Sequence, residues 1–313
     1  MAVAGAAASA PARAATVLWR FSRPHTVIGT AVSVVGLFAI SLDAIGGGVD
    51  AGRAAFHLFW TLVAGLSVNV FIVGINQITD VEIDRVNKPY LPIAAGELSL
   101  ERAWLIVAAA GLLPVGLALT QGAPETAAVV AALAVGIAYS VPPARLKRFP
   151  LAASLCVSGV RSAIVNLGVA AHFTAALGTQ GTEIPPGVWA LTAFVLPFSL
   201  AIAILKDVPD AEGDRAHTIF TFTVRHGGET VLRVGLAILT LAYLGMAILG
   251  PLLVDGADPV LLAAGHLAAL AALWVAARSA DPSDRAAFTR FYLRVWLLFF
   301  LEYAIVPVSC LAG

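Results

Sequence analysis

The sequence is poor in charge. Of its 313 residues only 12% are charged while 59% are hydrophobic, and the formal net charge is +0. Soluble domains carry about 25% charged residues, so this composition excludes an ordinary soluble domain and indicates a chain that lies in a bilayer. The absence of excess positive charge argues against a nucleic-acid partner and against a polybasic peripheral membrane protein.

Cysteine is also scarce. Cys156 and Cys310 are the two cysteines of the chain, and both lie in apolar runs without the spacing of metal ligands. We therefore expect two small buried side chains and neither a disulfide nor a cysteine metal site. The first 20 residues, MAVAGAAASAPARAATVLWR, lack the pattern of a secretory signal. We expect a disordered leader over residues 1–18.

Long apolar runs are what the chain has in abundance. A run of about 20 apolar residues is long enough to cross hydrocarbon as a helix. Nine such runs occur, at about 26–44, 56–78, 102–120, 124–141, 151–174, 187–206, 230–250, 258–278 and 291–311. The connections between them are short, which leaves no room for a separate soluble domain. The sequence predicts an all-α membrane protein in which residues 1–313 form one domain with nine transmembrane helices.

The basic residues predict the orientation of these helices. Nearly all of them fall on the side of the membrane that carries the N-terminus and every second connection. The opposite side carries Arg53 alone, and Arg161 lies within the fifth apolar run. By the positive-inside rule the basic side faces the cytoplasm.

A first polar motif follows the second apolar run, in NQITDVEIDRVNKPYLPIAAGELS at 76–99. Asn76, Asp80 and Asp84 are spaced i, i+4 and i+8, so a continuous helix would place all three on one face. Glu82 would point away from that face. Charges next to lipid are costly and are usually retained for function.

A second motif, KDVPDAEGD at 206–214, follows the sixth run on the same side. Asp207, Asp210 and Asp214 are spaced i, i+3 and i+7, again one helical face, and Glu212 points elsewhere. Carboxylate and amide oxygens are ligands of hard cations such as Mg²⁺, which commonly bridges carboxylates to phosphates. The two motifs together predict a Mg²⁺ clamp for a diphosphate, although isolated motifs of this kind are often ordinary solvated loop charges.

The loop after the fourth run, AYSVPPARLKRFP at 138–150, supplies cations on the same side. Lys147 is our candidate for a contact with phosphate, and Tyr139 is a candidate hydrogen-bond donor to the leaving group. Arg148 is a further candidate for substrate binding. Simple anchoring at the membrane edge also accounts for Arg145 and Arg148.

Three other polar residues are candidates for substrate binding. Arg161 and Asn166 lie inside the fifth run, and a buried Arg must find an anionic partner. Arg161 either bridges an Asp cluster or binds an anionic substrate. Arg23 precedes the first run, beside Pro24 at the expected helix start, where it is either an edge anchor or a substrate contact.

These motifs together resemble the UbiA superfamily of intramembrane prenyltransferases. Six segments carry this resemblance: FSRPHTVIGT, the 76–99 segment, AYSVPPARLKRF, VRSAIVNLG, AIAILKDVPDAEGD and WLLFFLEY. Within the superfamily they are most similar to the homogentisate phytyltransferase branch, which serves tocopherol biosynthesis. The resemblance implies a UbiA-type bundle of nine helices around a cavity that opens to lipid, with cytoplasmic cap loops.

The resemblance also implies roles for individual residues. Asn76, Asp80 and Asp84 would form the first Mg²⁺–diphosphate motif, and Asp207, Asp210 and Asp214 would form the second. Lys147 and Tyr139 would contact the diphosphate, with Arg23 as a further candidate.

The reaction so implied transfers a phytyl or geranylgeranyl group from its diphosphate to homogentisate, with loss of CO₂. Two alternatives remain open at this stage. A sibling enzyme could use 4-hydroxybenzoate or chlorophyllide as acceptor, or a solanesyl donor. A secondary transporter would also carry polar residues on membrane helices, although usually near the midplane. The sequence leaves the oligomeric state unassigned.

Overall fold

The computed structural model describes residues 10–178, 183–216 and 219–313, and every regular element in these ranges is helical. Nine of the described helical segments are long and apolar enough to cross a membrane, which confirms the predicted number. They are α2 (Pro24–Ile45), α3 (Ala51–Thr79), α5 (Leu100–Gln121), α6 (Ala123–Ser140), the fifth span (Pro150–Leu177), α9 (Pro186–Leu205), α12 (Gly228–Leu253), α13 (Pro259–Ala277) and α14 (Arg285–Leu311).

The fifth span is not a uniform α-helix. It consists of α7 (Pro150–Gly159), a π-helical segment (Val160–Leu167) and α8 (Gly168–Leu177). Segments of π-helix are rare and are frequent at functional sites. The remaining short elements are α1 (Ala10–Phe21), α4 (Val81–Asn87), a 3₁₀ turn (Leu146–Arg148), α10 (Ala211–Ala216) and α11 (Phe222–His226).

The helix starts follow from local chemistry. Asp50, Asp258 and Asp284 each accept a hydrogen bond from a backbone N–H in the first turn of the helix that follows. Each such cap satisfies a donor that has no partner within the helix. Pro24 opens α2 because its fixed φ suits the first helical position, where its missing N–H has no cost.

The disordered leader predicted over 1–18 is wrong for its described part. Residues from Ala10 onward form α1, and residues 1–9 lie outside the described ranges. Alanine favours helix formation, and the end of α1 is held in place by the buried Phe21. The Gln77 side-chain amide donates a hydrogen bond to the Phe21 carbonyl at 2.7 Å.

The two halves of the bundle are packed differently. In the C-terminal half, α9, α12, α13 and α14 share one large core that contains Phe198, Tyr243, Phe291 and Phe299. The N-terminal half has three smaller hydrophobic clusters instead. The cavity described next lies between these small clusters and the large core, since Ile202, Trp296 and Phe299 of the large core also line it.

Candidate active site

A cavity of about 260 Å³ opens between α2, α3, α6, the fifth span, α9 and α14. Its mouth lies at the end of the bundle where α3, α6 and α9 end. Polar side chains line that mouth: Arg23, Asn76, Tyr139 and Lys206. The structure thus brings together Asn76, Tyr139 and Arg23, three residues that the sequence predicted as site residues.

The first motif does not form one continuous helical face, contrary to the prediction. Helix α3 ends at Thr79, and Asp80 has non-helical φ and ψ of −120° and 18° before α4 begins. Asp80 is therefore a corner between two helices. Asp is a poor residue for a helix interior, and its side chain here is held by cations of the loop that follows α6.

Two basic residues neutralise Asp80. The Lys147 ammonium lies 2.7 Å from Asp80 Oδ1 and the Arg145 guanidinium lies 3.1 Å from it. Lys147 also donates a hydrogen bond to the Thr79 hydroxyl at 2.9 Å. Burial lowers the pKa of Lys147, and the attraction of Asp80 opposes that shift. The structure therefore places the predicted Lys147 directly on the first motif.

The second motif also departs from the single predicted helical face. Asp207 and Asp210 lie in a turn after α9, and only Asp214 lies in α10. Pro209 explains the interruption, because proline has no N–H to donate and disfavours helical geometry at the preceding Val208. Asp207 pairs with the neighbouring Lys206 ammonium.

The two motifs are joined by residues that follow the first. Lys88 pairs with Asp210. The Asn87 side chain donates to Asp214 Oδ1 at 3.1 Å and accepts from the Gly213 N–H at 3.0 Å. Arg285 at the start of α14 donates to the Asn87 carbonyl. We call this arrangement of Asn87 and Lys88 the clasp.

Sequence reasoning missed the clasp. Asn87 and Lys88 lie directly after the first motif, in VNKPY, but Lys88 counted only as a basic loop residue. Their partners are 122 to 127 residues away, and nothing in the spacing of one sequence indicates such a pairing. Lys206 was also missed, although its position beside Asp207 was a usable signal.

The electrostatics of the clustered acids reflect their burial. Burial raises the pKa of Asp84 to about 6, and the neighbouring Lys88 opposes the shift. Burial, with repulsion from Asp207 and Asp210, raises the pKa of Asp214 to about 7. Both carboxyl groups would be stabilised in ionised form by a nearby cation.

The carboxylates are not gathered into a finished metal site. Among the described residues no three Asp, Glu, His or Cys side chains are grouped closely enough to hold a metal ion. The donor set nevertheless suits a hard cation, because it is made of oxygens. Asp84 Oδ2 is buried and has no hydrogen-bond partner, which leaves one oxygen free for a ligand.

Arg161 lies inside the cavity and not on an Asp motif. Its guanidinium lies 4.4 Å from the Trp296 ring centroid and 5.4 Å from that of Phe299. No ion pair between Arg161 and an acid occurs in the described part of the chain. The alternative in which Arg161 bridges an Asp cluster is therefore wrong.

Two other predicted residues lie away from the cavity. Asn166 is fully buried and accepts a hydrogen bond from the Tyr303 hydroxyl at 2.7 Å, behind the cavity wall. Arg148 is exposed and lies over the Phe149 ring at 4.8 Å. The 3₁₀ turn explains why Lys147 points towards Asp80 while Arg148 does not, because successive residues in it point about 120° apart.

Comparison with known proteins agrees with this architecture. Residues 33–300 match the UbiA prenyltransferase family. The chain is 43% identical over 291 residues to homogentisate phytyltransferase of Synechocystis sp., covering 93% of this chain and 94% of that protein. It is 39% identical to homogentisate solanesyltransferase of Arabidopsis thaliana, covering 95% of this chain and 77% of the relative.

Solved structures show the same fold. A UbiA homologue from Archaeoglobus fulgidus bound to DMAPP and Mg²⁺ superimposes with a TM-score of 0.64 at 20% identity, covering 93% of this chain and 99% of that one. The apo structure of a UbiA homologue from Aeropyrum pernix gives a TM-score of 0.65 at 21% identity. With nine spanning helices and a family match over most of its length, the chain is an integral membrane protein that belongs to the UbiA prenyltransferase family.

Proposed function

We propose that this protein transfers a phytyl or geranylgeranyl group from its diphosphate to homogentisate at the mouth of the cavity. One observation carries the proposal: two acidic motifs from α3 and α9 meet, through the clasp, beside a membrane cavity. The names of relatives that the chain matches over more than nine-tenths of its length support homogentisate as the acceptor.

The donor set suits Mg²⁺. We propose that the residues that hold it are Asn76, Asp80, Asp84, Asp207, Asp210 and Asp214. When bound, Mg²⁺ would supply positive charge that offsets the negative charge of the diphosphate. The buried, unpartnered Asp84 Oδ2 and the all-oxygen donor set support this assignment.

The lysines of the site have a second role in this proposal. Lys147 and Lys206 neutralise Asp80 and Asp207 in the protein alone. The two ammonium groups would also bind the diphosphate and stabilise the negative charge that grows on it as it departs. Tyr139 lines the same mouth and would donate a hydrogen bond to the leaving oxygen.

The reaction itself balances without a further reagent. The C–O bond to the diphosphate breaks, and the allylic carbon forms a bond to a ring carbon of homogentisate. The ring loses a proton at that carbon, the carboxymethyl arm loses CO₂, and a proton takes its place. Below the mouth the cavity wall is largely apolar, which excludes water and so protects the reactive carbon from hydrolysis.

Arg161 is the proposed partner of the acceptor's carboxylate. It is a cation inside a membrane segment and has no acidic partner among the residues that the structure describes, and its guanidinium carbon lies 4.4 Å and 5.4 Å from the ring centroids of Trp296 and Phe299. A buried unpaired charge is costly, so an anionic acceptor would relieve that cost while its ring lies beside the aromatic side chains. Arg23 at the mouth would contribute a second positive charge.

We further propose that the mouth faces the cytoplasm, in a bacterial inner membrane or a thylakoid-type membrane. The basic residues concentrate at the same end of the bundle as the acidic motifs, and the positive-inside rule places that end in the cytoplasm. Membership of a prenyltransferase family leaves the transporter alternative without support.

The test is an assay of membrane fractions that contain the protein. Homogentisate is offered with phytyl, geranylgeranyl or solanesyl diphosphate, with and without Mg²⁺, to the wild type and to Asp80→Ala and Asp207→Ala. We expect a Mg²⁺-dependent prenylated quinol that both substitutions abolish and that the matched controls Glu82→Ala and Glu212→Ala preserve. Prenylation of 4-hydroxybenzoate or chlorophyllide but never of homogentisate would contradict the acceptor, and a preference for solanesyl diphosphate would contradict the donor.

A further inference from the structure

One face of α3 runs down the cavity from the mouth. It carries Asn76, Ile72, Val68, Gly65 and Thr61, at helical spacing, and all five line the cavity. The face begins with a polar residue at the mouth, continues with apolar ones and ends with a polar one at the deep end.

The facing surface of α6 repeats this order. Tyr139 lies at the mouth, Val135, Ala132 and Ala128 follow, and Glu125 lies at the deep end. Glu125 precedes Tyr139 by 14 residues, which at the rise of an α-helix is a length of about 21 Å. Because Arg161, Trp296 and Phe299 occupy a different wall, the apolar channel between α3 and α6 is the part of the cavity that suits a prenyl tail.

The deep end of this channel is closed by three buried polar side chains. Thr61 Oγ1 donates to Glu125 Oε2 at 3.4 Å, and His172 Nδ1 lies 3.5 Å from the same oxygen. Thr61, Glu125 and His172 are 2%, 4% and 1% exposed, respectively. We call these three residues the floor.

The space beyond the floor is filled. Ala54, two turns before Thr61 on α3, packs with Phe173 and Leu177 of α8 in a buried apolar cluster. Neither Ala54 nor Leu177 lines the cavity. The channel therefore has a definite end and does not continue to the opposite membrane surface along this line.

We propose that the floor sets the maximum length of the prenyl tail that binds in the channel. The inference rests on the proposed function and names the structural basis of its donor preference. An extended tail of four isoprene units is comparable in length to the channel. A longer tail would have to separate Glu125 from Thr61 and His172 and leave a buried carboxyl group against hydrocarbon, which is strongly unfavourable.

The chain offers a matched control for this proposal. Glu302 pairs with His266 at 3.0 Å, and both residues are fully buried in the C-terminal core. Neither lines the cavity. A substitution at Glu302 thus removes a buried membrane carboxyl of the same kind without opening the channel.

The test measures donor binding, which needs no acceptor. Purified protein in lipid nanodiscs is titrated with geranylgeranyl and solanesyl diphosphates in the presence of Mg²⁺, and the ratio of the two Kd values is compared between variants. Glu125→Ala removes both the volume and the polarity of the floor, so we expect the ratio to shift towards solanesyl diphosphate by about tenfold or more. Glu125→Gln and Glu302→Gln keep the channel closed and should leave the ratio within about twofold of the wild type.

A second substitution tests the channel from the other direction. Ala132→Phe places a ring about halfway between mouth and floor, so geranylgeranyl diphosphate should bind at least about tenfold more weakly, while the shorter geranyl diphosphate binds nearly as in the wild type. Retained geranyl diphosphate binding also shows that the variant has folded.

Two results would overturn the proposal and indicate that the tail leaves sideways between helices. One is a Kd ratio in Glu125→Ala that equals the wild-type ratio. The other is an Ala132→Phe variant that binds geranyl and geranylgeranyl diphosphates as tightly as the wild type does. A wild type that binds donors as expected but never prenylates homogentisate contradicts the proposed acceptor and leaves the floor standing. A wild type that binds no prenyl diphosphate overturns both.

Discussion

The two acidic motifs have similar sequences and occupy similar places at helix ends, but they are neutralised in different ways. Asp80 of the first motif is paired with two cations, Lys147 and Arg145, both from the loop after α6. In the second motif Asp207 and Asp210 each have one cation. One of these, Lys88, comes from the segment that follows the first motif. The second motif therefore depends on the first, whereas the first is supported independently.

This difference teaches that sequence similarity between the motifs does not make them interchangeable. Removal of one cation from the first motif leaves another in place. Removal of either cation from the second leaves a carboxylate without its ion-pair partner. Substitutions that should affect the two motifs alike, and others that should affect them unequally, therefore test this asymmetry.

The largest effect is expected when a carboxylate of either motif is made neutral. Asp80→Asn and Asp207→Asn keep the side-chain size but remove a charge that, in the proposed function, holds the cation and the diphosphate in place. We expect kcat/KM to fall by about two to three orders of magnitude in each, the usual cost of losing one charge-stabilising group. The measurement is steady-state prenylation over a range of Mg²⁺ concentrations.

The double variant sharpens this result. Because we propose that both motifs act on one diphosphate, we expect the combined loss to be smaller than the product of the two single losses. A single variant with near wild-type activity would show that its motif has no part in catalysis.

The asymmetry itself predicts different losses of stability. Lys206→Met leaves Asp207 largely buried without its cation, which should cost about 1–3 kcal/mol after allowance for the partial exposure of Lys206. Arg145→Met leaves Asp80 paired with Lys147 and should cost less than about 1 kcal/mol. The measurement is the folded fraction that survives heating in detergent, judged by size-exclusion chromatography. Equal losses in the two variants would contradict the asymmetry.

The sequence predicted the general arrangement because apolar length and charge placement are local properties. Runs of about 20 apolar residues had to become spanning helices, and the acids at their ends had to meet if those ends lay on one side. The helix breaks at Asp80 and Pro209 were harder to predict, because the use of helical periodicity assumes that the helix is continuous. Whether Lys147 or Arg148 reaches Asp80 depends on one 3₁₀ turn.

The clasp is where prediction from the sequence failed most completely, and it supplies a third test. Asn87→Ala removes the donor to Asp214 and the acceptor for the Gly213 N–H, which should cost about 1–2 kcal/mol and raise the Mg²⁺ concentration needed for half-maximal activity. A Cβ added at Gly213 would overlap the Asn87 side-chain amide, so the fit between these residues is close.

Asn87→Asp separates position from charge in the same experiment. It keeps the acceptor for the Gly213 N–H but places a second carboxylate against Asp214, and repulsion between the two raises the pKa of Asp214 further. We therefore expect Asn87→Asp to need a higher Mg²⁺ concentration for half-maximal activity than Asn87→Ala does at neutral pH. A loss of stability with an unchanged Mg²⁺ requirement in both variants would show that the clasp supports the fold alone and does not position the second motif.

The smallest effect is expected at the glutamates that lie within the two motifs but point away from their aspartates. Glu82 and Glu212 are both exposed, and within the described ranges Glu82 pairs only with the exposed Arg85, at 2.7 Å. An ion pair of this kind contributes about 0–1 kcal/mol. We therefore expect Glu82→Ala and Glu212→Ala to retain kcat/KM within about twofold of the wild type and to unfold within about 0.5 kcal/mol of it. Because these substitutions remove the same negative charge as those at Asp80 and Asp207, a large loss of activity here would mean that net charge at the membrane edge, and not the placement of particular carboxylates, is what the two motifs provide.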